Sequence, residues 1–176
     1  MEDFKSLLAS EFSPYGALTS EQLALLEDHY QLLLRWNQKI NLTRITSLQD
    51  AVRYHYCESL YLATRLPQGP LRIVDIGSGA GFPGIPVAIY RPECNLDLVE
   101  SHKRKAVFLR EAVRELTNVR VLAQRAEALT DPYDWTISRA VRPEDVLKMN
   151  LAPHVAVLGV EGDSLPWGEK RALFAR

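Results

Sequence analysis

The hydrophobic positions in the first third of the chain recur with the period of a helix. Apolar side chains spaced as on one helical face are Leu23, Leu26, Tyr30, Leu33 and Leu34. Thr19 followed by Gln22 predicts the capping box at which this helix begins. A second helix is predicted from Ser47 to about Arg65, because a proline follows shortly after. Residues 1–66 are therefore predicted to be helical.

From residue 71 onward, short apolar runs alternate with helical stretches. Strands are predicted at 71–76, 95–100, 119–123, 135–141, 154–160 and 171–175, and helices at 85–90 and 103–116. This alternation predicts an α/β fold with a mostly parallel, doubly wound sheet. We expect residues 1–66 to form an N-terminal helical cap on a core of residues 67–176, the two making one compact unit.

Composition narrows the class of protein. The chain has 176 residues, of which 47% are hydrophobic and 24% charged, which suits one domain with a sizeable core. No apolar run approaches the roughly 20 residues of a membrane span, and the acidic N-terminus does not resemble a secretory signal. Cys57 and Cys94 match no zinc or redox spacing and suit a reducing compartment. We therefore expect a cytoplasmic protein with no metal and no membrane partner.

The net charge of -1 hides an uneven distribution. Residues 35–55 carry four Arg or Lys against one acid, residues 100–125 carry seven against three, and residues 131–169 are more acidic. A basic face of this kind could contact a phosphate backbone. Solvated helix faces with internal ion pairs explain the same charges equally well.

The segment VDIGSGAGFPGIP follows the first predicted strand, where sheets of this kind bind ligands. Glycines there accept positive φ and let a ligand touch the main chain. Gly79, Gly81 and Gly84 fit the dinucleotide pattern G-x-G-x-x-G. In another frame Asp75, Gly77, Gly79 and Gly81 spell D-x-G-x-G-x-G, which resembles the S-adenosylmethionine loop of class I methyltransferases.

Three features favour the S-adenosylmethionine frame. Asp75 at the strand end can fix the loop and face an ammonium group. Pro83 and Pro86 are tolerated only in the first turn of a helix, which places the turn at Gly77 to Gly81. S-adenosylmethionine carries no phosphate, so a loop without Lys or Arg suits it. A nicotinamide oxidoreductase remains the weaker alternative.

The ends of the other predicted strands carry further candidate residues for binding the cofactor or substrate. Glu100, 19 residues after Gly81, can accept hydrogen bonds from both ribose hydroxyls of either cofactor. Ala126 and Glu127 follow the third strand, where an adenine would lie, although the start of a surface helix is the alternative. Arg139 ends the fourth strand and could be a structural ion-pair partner, or could bind a cofactor carboxylate or a substrate phosphate.

Several motifs occur in an order that resembles one family. They are NLTRIT at 41–46, His55 with Glu58-Ser59, the glycine loop with GFPGIP, ESHKRKAVFL at 100–109, RAE at 125–127 and SRA at 138–140. Over residues 36–141 the chain resembles the RsmG/GidB family, bacterial methyltransferases that act on a guanine N7 in small-subunit ribosomal RNA. The resemblance implies S-adenosyl-L-methionine as cofactor, S-adenosyl-L-homocysteine as product, and 16S rRNA or the small ribosomal subunit as partner of a monomeric enzyme.

Carried over by position, the resemblance implies roles for individual residues. Cofactor contacts are implied at Gly77, Phe82, Ala126, Glu127 and Arg139. The candidates for RNA binding are Arg44, Lys103 and Arg104, and those for positioning are Asn41, His55 and Arg139. Asn41 could equally be a turn or helix cap, and His55 could be a core histidine bonded to Glu58 or Ser59. No residue is assigned as catalytic with certainty, because guanine N7 needs no proton removed before attack.

The chain departs from the family pattern at three places. Glu58 and Glu161 stand where the family has Asp and Lys. The final predicted strand also follows the fifth so closely that roughly 25 to 30 residues, a helix and a strand, are missing between them. We expect residues 155–160 or the final strand to form an exposed sheet edge. A methyltransferase with a non-RNA acceptor and a binding-only protein therefore stay open as alternatives.

Overall fold

A computed structural model describes residues 3–176. Its helical elements are α1 (Phe4–Phe12), α2 (Ser20–Asn37), α3 (Leu48–Asp50), a π-helical segment (Ala51–Cys57), α4 (Glu58–Arg65), α5 (Gly84–Tyr90), α6 (Lys103–Ala112), a 3₁₀ turn (Ala126–Ala128) and α7 (Pro143–Met149). The strands are β1 (Arg72–Ile76), β2 (Asn95–Val99), β3 (Val119–Leu122), β4 (Trp135–Arg139), β5 (His154–Gly159), β6 (Asp163–Ser164) and β7 (Ala172–Ala175). None of the helices described is long and apolar enough to cross a membrane.

The seven strands form one sheet in the order β3-β2-β1-β4-β5-β7-β6. The first five are parallel, while β7 runs antiparallel to both β5 and β6. The prediction of a mostly parallel, doubly wound α/β sheet is confirmed. The order reverses between β1 and β4, so the loops after these strands open on one crevice at the carboxyl edge of the sheet.

The predicted starts of the helices near the N-terminus are also confirmed. Thr19 Oγ1 accepts a hydrogen bond from the Gln22 N–H, and the Gln22 side chain accepts one from the Thr19 N–H, which is the predicted capping box. Ser47 caps α3, and from there the chain continues helically to Arg65. Its central π-helical segment was not predicted. Such widened turns occur often at functional sites, and this one carries His55.

The end of the sheet differs in part from the prediction. β5 is not an exposed edge, because β7 pairs with it from Gly159↔Ala172 to Ala156↔Ala175. Beyond β7 lies only the two-residue strand β6, which pairs with Leu173 and Ala172. The shortened edge of the sheet is therefore formed by β7 and β6. Helix α7, which the sequence analysis missed, crosses between β4 and β5.

The N-terminal helices share one hydrophobic core with the loop after β1 and with α5. Phe12, Leu26 and Tyr56 from the helices are fully buried or nearly so, and they cluster with Phe82 and Ile85 from the loop after β1 and from α5. Burial of aromatic and leucine side chains is the main stabilising term for such an interface. The helices thus pack directly on the segment that follows β1. The boundary between residues 66 and 67 stays a prediction.

Candidate functional site

The loop after β1 turns at the glycines that the S-adenosylmethionine frame selects. Gly77, Gly79 and Gly81 have φ of 66°, 55° and 96°, which is left-handed backbone that glycine adopts without strain. Gly84 instead lies at the start of α5. A Cβ added at Gly77 would meet nothing within 4 Å, and one at Gly79 would meet only the Gly77 carbonyl oxygen at 3.9 Å. The main chain at Gly77 and Gly79 therefore borders open space, as a ligand cradle requires, whereas a Cβ on Gly81 would clash with Ile85.

Asp75 holds this loop from inside. Its Oδ2 accepts hydrogen bonds from Ser78 Oγ and from the Gly84 N–H, both at 3.0 Å. A Cβ on Gly84 would lie 2.6 Å from that oxygen, so the start of α5 approaches the carboxylate closely. Oδ1 is buried and has no partner among residues 3–176. Burial raises the pKa of Asp75 to about 7. An unpartnered buried carboxylate oxygen beside an open main chain fits a cationic group of a ligand.

Glu100 fixes the loop from the side of β2. Its Oε1 accepts a hydrogen bond from the Gly79 N–H at 2.8 Å, and Oε2 accepts one from the His102 N–H at 2.9 Å. The side chain therefore ties the glycine loop to the start of α6. Each carboxylate oxygen can accept a second hydrogen bond, so these contacts leave capacity for ribose hydroxyls. The ribose role of Glu100 stays a prediction.

A small cavity adjoins the glycine loop. It has a volume of about 210 Å³, and its lining includes Ile76, Gly77, Val99, Gln124, Ala126, Glu127 and Val141. The structure thus brings the predicted adenine-side residues Ala126 and Glu127 next to Gly77. The apolar and polar lining suits a planar heterocycle.

A larger cavity of about 540 Å³ lies beside the small one, and Val141 lines both. Its wall comes from residues 42–45, from the ends of β4 and β5, and from His55 and Arg171. The predicted residues Arg44, His55 and Arg139 are therefore brought together. Asn41 does not line either cavity, and Lys103 and Arg104 are exposed at the start of α6, outside both.

Arg139, His55 and Phe82 form a stacked cluster at this wall. Arg139 Nη1 donates to His55 Nδ1 at 2.8 Å, and its guanidinium lies 5.0 Å from the centre of the Phe82 ring. The imidazole of His55 stacks on the same ring with 4.4 Å between centroids. Burial lowers the pKa of Arg139 to about 10, which leaves it charged at neutral pH. The cluster presents one fixed cation to the larger cavity.

The hydrogen bonds of His55 define its protonation state. Arginine can only donate, so Nδ1 must be the acceptor and Nε2 carries the proton. Nε2 then donates to Thr43 Oγ1 at 2.8 Å. Burial and the nearby Arg139 lower the pKa of His55 to about 2, so the ring is neutral. The alternative in which the His55 ring bonds Glu58 or Ser59 does not hold, because Ser59 Oγ donates to the His55 carbonyl and Glu58 accepts from Arg171.

Asn37, which the sequence analysis did not single out, organises the loop that carries Arg44. Its Oδ1 accepts from the N–H groups of Leu42 and Thr43 at 2.9 and 3.0 Å, and its Nδ2 donates to the Thr43 carbonyl. The turn-forming role considered for Asn41 therefore belongs to Asn37, and Asn41 is exposed. An asparagine that ends a long helix is the signal from which this role could have been predicted.

Glu58 and Arg171 form a buried ion pair beside the same cavity. The Glu58 side chain is fully buried, and both of its oxygens accept from the Arg171 guanidinium, with Nη2 to Oε1 at 2.8 Å. Arg171 also lies over the Tyr54 ring, 5.5 Å from its centre. The sequence carried no signal for this pair, because the two residues are 113 positions apart.

The sheet topology and the glycine loop define the class I methyltransferase fold. Among solved structures, the cyclopropane synthase MmaA2 from Mycobacterium tuberculosis has a TM-score of 0.54 at 19% identity over 78% of this chain and 54% of that one. The mycolic acid cyclopropane synthase CmaA1 has a TM-score of 0.52 at 17% identity over 93% and 59%. These likenesses concern the fold alone.

A family model described as GidB, rRNA small subunit methyltransferase G, matches residues 22–160, and the chain belongs to this family. Curated relatives named ribosomal RNA small subunit methyltransferase G include those of Chromobacterium violaceum, 43% identical over 70% of this chain, and of Carboxydothermus hydrogenoformans, 37% identical over 90%. The chain spans 60% of the length of the first and 70% of the second.

Proposed function

We propose that the protein transfers a methyl group from S-adenosyl-L-methionine to N7 of a guanine in 16S rRNA. The observation that carries the proposal is the pair of adjoining cavities at the carboxyl edge of the sheet. One borders the glycine loop and the other is lined by cations, which suits a cofactor beside an anionic substrate. Membership of the GidB family supports the same reaction.

The residues around the small cavity fit the cofactor. In this proposal, Asp75 faces its ammonium group, Glu100 accepts from its ribose hydroxyls, and Ala126 with Glu127 borders its adenine. The main chain at Gly77 and Gly79 approaches it without steric hindrance, whereas Gly81 packs against Ile85 and His29 and supports the loop from within. When bound, S-adenosylmethionine supplies an electrophilic methyl group on a positively charged sulfur.

The larger cavity would receive the guanine. N7 has a free lone pair, so the reaction needs alignment and exclusion of water rather than a general base. His55 suits this requirement, because both of its ring nitrogens are already engaged, by Arg139 and by Thr43. Among residues 3–176, the hydrogen bonds of the Arg139 guanidinium all involve Nη1, and its other nitrogens remain available to a substrate oxygen or the cofactor carboxylate.

Cations near the site would contact the RNA backbone. Arg44 lines the larger cavity, and Lys103 and Arg104 are exposed where α6 begins. No ion pair involves these three side chains in the part of the chain described, whereas Arg53 pairs with Glu11 and Arg120 with Asp97 and Asp131. The basic segments therefore contain both paired and available cations. In this proposal, N7 is reached within folded RNA either on a loop base that is splayed out or on a partly assembled particle. We place the reaction in the cytoplasm.

The test is methyl transfer from labelled S-adenosylmethionine to small ribosomal subunits, to free 16S rRNA and to a sample without RNA. We expect label in one of the RNA samples, mapped to a guanine N7. Cofactor binding without label in either RNA would contradict the proposal and would favour a different acceptor or a binding-only protein. Failure to bind S-adenosylmethionine would contradict the assignment of the loop itself.

A further inference from the structure

We propose that His29 is a positioning residue, through which the N-terminal helices set the conformation of the glycine loop. It stands in the middle of a hydrogen-bonded chain that runs from Tyr56 through His29 to the carbonyl of Ala80. The inference rests on the proposed function, because it assigns His29 to the affinity for S-adenosylmethionine. Neither His29 nor Tyr56 was singled out from the sequence.

The hydrogen-bond directions follow from chemistry. His29 Nε2 lies 2.9 Å from the Ala80 carbonyl oxygen, which can only accept, so Nε2 must carry a proton. Nδ1 is then an acceptor, and the Tyr56 hydroxyl donates to it at 3.0 Å. His29 is 2% exposed, and burial lowers its pKa to about 4, which keeps it neutral in the required form. Both ring nitrogens are therefore used, one of them on the loop.

The contact acts where the loop has the least intrinsic rigidity. Ala80 lies between Gly79 and Gly81, two residues that lose much conformational entropy when their dihedrals are fixed. Glu100 accepts from the Gly79 N–H, and His29, on α2, donates to the Ala80 carbonyl oxygen. The two contacts thus fix the 78–79 and 80–81 peptide planes, on either side of the 79–80 peptide. The main chain is also close to the ring, since a Cβ on Gly81 would lie 3.2 Å from His29 Nε2.

Packing alone does not account for a histidine at this position. The ring lies among aromatic neighbours, with centroid distances of 5.0 Å to Phe82 and 5.6 Å to Tyr56. An apolar ring would suit that environment without adding polar atoms. It would leave the Ala80 carbonyl and the Tyr56 hydroxyl without their partner, and buried polar groups without partners are costly. We therefore infer that position 29 is a histidine because its ring must hydrogen-bond the Ala80 carbonyl.

The experiment compares variants that differ in this one hydrogen bond. His29→Gln keeps an N–H donor at about the distance of Nε2, whereas His29→Asn is too short to reach Ala80, and His29→Phe has no donor. By isothermal titration, we expect the Kd for S-adenosylmethionine to rise about tenfold or more in H29N and H29F, and by less than about threefold in H29Q. Leu33→Ala, a cavity variant at another fully buried position of the same helix, should lower the midpoint of urea unfolding and leave that Kd unchanged.

A measurement made in the absence of S-adenosylmethionine separates this inference from the proposed function. Hydrogen exchange of the amides in residues 77–82 should be faster in H29N than in wild type, and near wild type in H29Q. If wild type fails to bind S-adenosylmethionine, the proposed function fails, and this exchange pattern still tests whether His29 holds the loop. Equal affinity and equal exchange in wild type, H29Q and H29N would overturn the inference.

Discussion

At the scale of single residues, the buried carboxylate of Asp75 costs the protein free energy when no ligand is bound. Its carboxyl group is buried, one oxygen is satisfied by Ser78 and Gly84, and the other has no partner in the described protein. The folded protein therefore favours the protonated form more than an unfolded chain does. A bound cation would remove that preference, so the cost is offset only when a ligand is present.

Asp75→Asn should abolish one component of the pH dependence of stability. Because the pKa of Asp75 rises from 3.8 to about 7 on folding, the folded state retains a proton that the unfolded state releases. The free energy of unfolding should therefore fall as pH rises through this window, by at most about 1.4 kcal/mol per pH unit from this group. Urea unfolding of the variant and wild type between pH 5 and 8 measures the difference.

The comparison with wild type cancels the contributions of other groups, including the buried histidines. Asp163, an exposed aspartate on β6, provides a matched control, and D163N should keep the wild-type slope. A slope in D75N equal to that of wild type would contradict the assignment of the raised pKa to Asp75.

The residues of the loop could be predicted because their signals are local. Positive φ favours glycine, so the spacing of Gly77, Gly79 and Gly81 along the chain is enough to indicate the turn. The hydrogen-bond partners of these residues could not be predicted from the sequence in the same way. Nothing in the sequence around His29 indicates that its ring contacts Ala80, because the contact depends on how α2 packs against the loop, 51 positions later.

At the scale of elements, the Glu58–Arg171 pair joins α4 to the segment that leads into β7. Glu58 is fully buried, while the side chain of Arg171 keeps 33% of its surface exposed. Such a pair adds little net stability over apolar residues, but removing one partner leaves an uncompensated charge. The pair therefore ties α4 to the residue that precedes the antiparallel strand β7.

Arg171→Met should therefore lower the free energy of unfolding by about 3 kcal/mol, near the lower end for a broken buried pair because Arg171 is partly exposed. The double variant Glu58→Met with Arg171→Met should recover most of this loss, since no charge remains without its partner. Urea unfolding of the wild type, both single variants and the double variant gives the interaction energy. Additive losses in the double variant would show that the two side chains do not interact.

Helices and strands could be predicted from the sequence wherever the hydrophobic positions had a clear helical or strand period. The capping box at Thr19 and the parallel strands were predicted from local patterns, and β5 was located correctly. The pairing of β5 with β7 was not predicted, because strand pairing depends on contacts between residues that are distant in the sequence. Helix α7 was missed because its seven residues, PEDVLKM, are too few to establish a helical period.

At the scale of the whole molecule, charge is arranged around the carboxyl edge of the sheet rather than spread evenly. Arg44, Arg139 and Arg171 line the larger cavity, and Glu161 is an exposed acid at the same cavity. With a net charge of -1, the protein has no general attraction to RNA. The proposed binding to an RNA backbone therefore depends on this local arrangement.

Glu161→Lys should strengthen binding to a 16S rRNA fragment, because it replaces a repulsive group beside the cavity with a cation. We expect severalfold tighter binding at low salt and a slope of log K against log salt that is steeper by up to about 0.9. Fluorescence anisotropy across a series of salt concentrations measures both. Glu21→Lys, the same charge change at an exposed position on α2, should have a smaller effect. An equal gain in both variants would indicate that net charge, and not the cavity, controls binding.

The distance between Glu58 and Arg171 along the chain also sets an order of events during synthesis. A ribosome that adds roughly 5 to 20 residues per second releases the carboxylate about 6 to 23 s before its cation. The hydrogen-bond partners of the glycine loop, by contrast, all lie within the first 100 residues and are available early. Since an unpaired carboxylate resists burial, full burial of Glu58 is favoured only once Arg171 is available to pair with it. The ion pair beside the larger cavity is therefore completed only after every hydrogen-bond partner of the glycine loop has been synthesised.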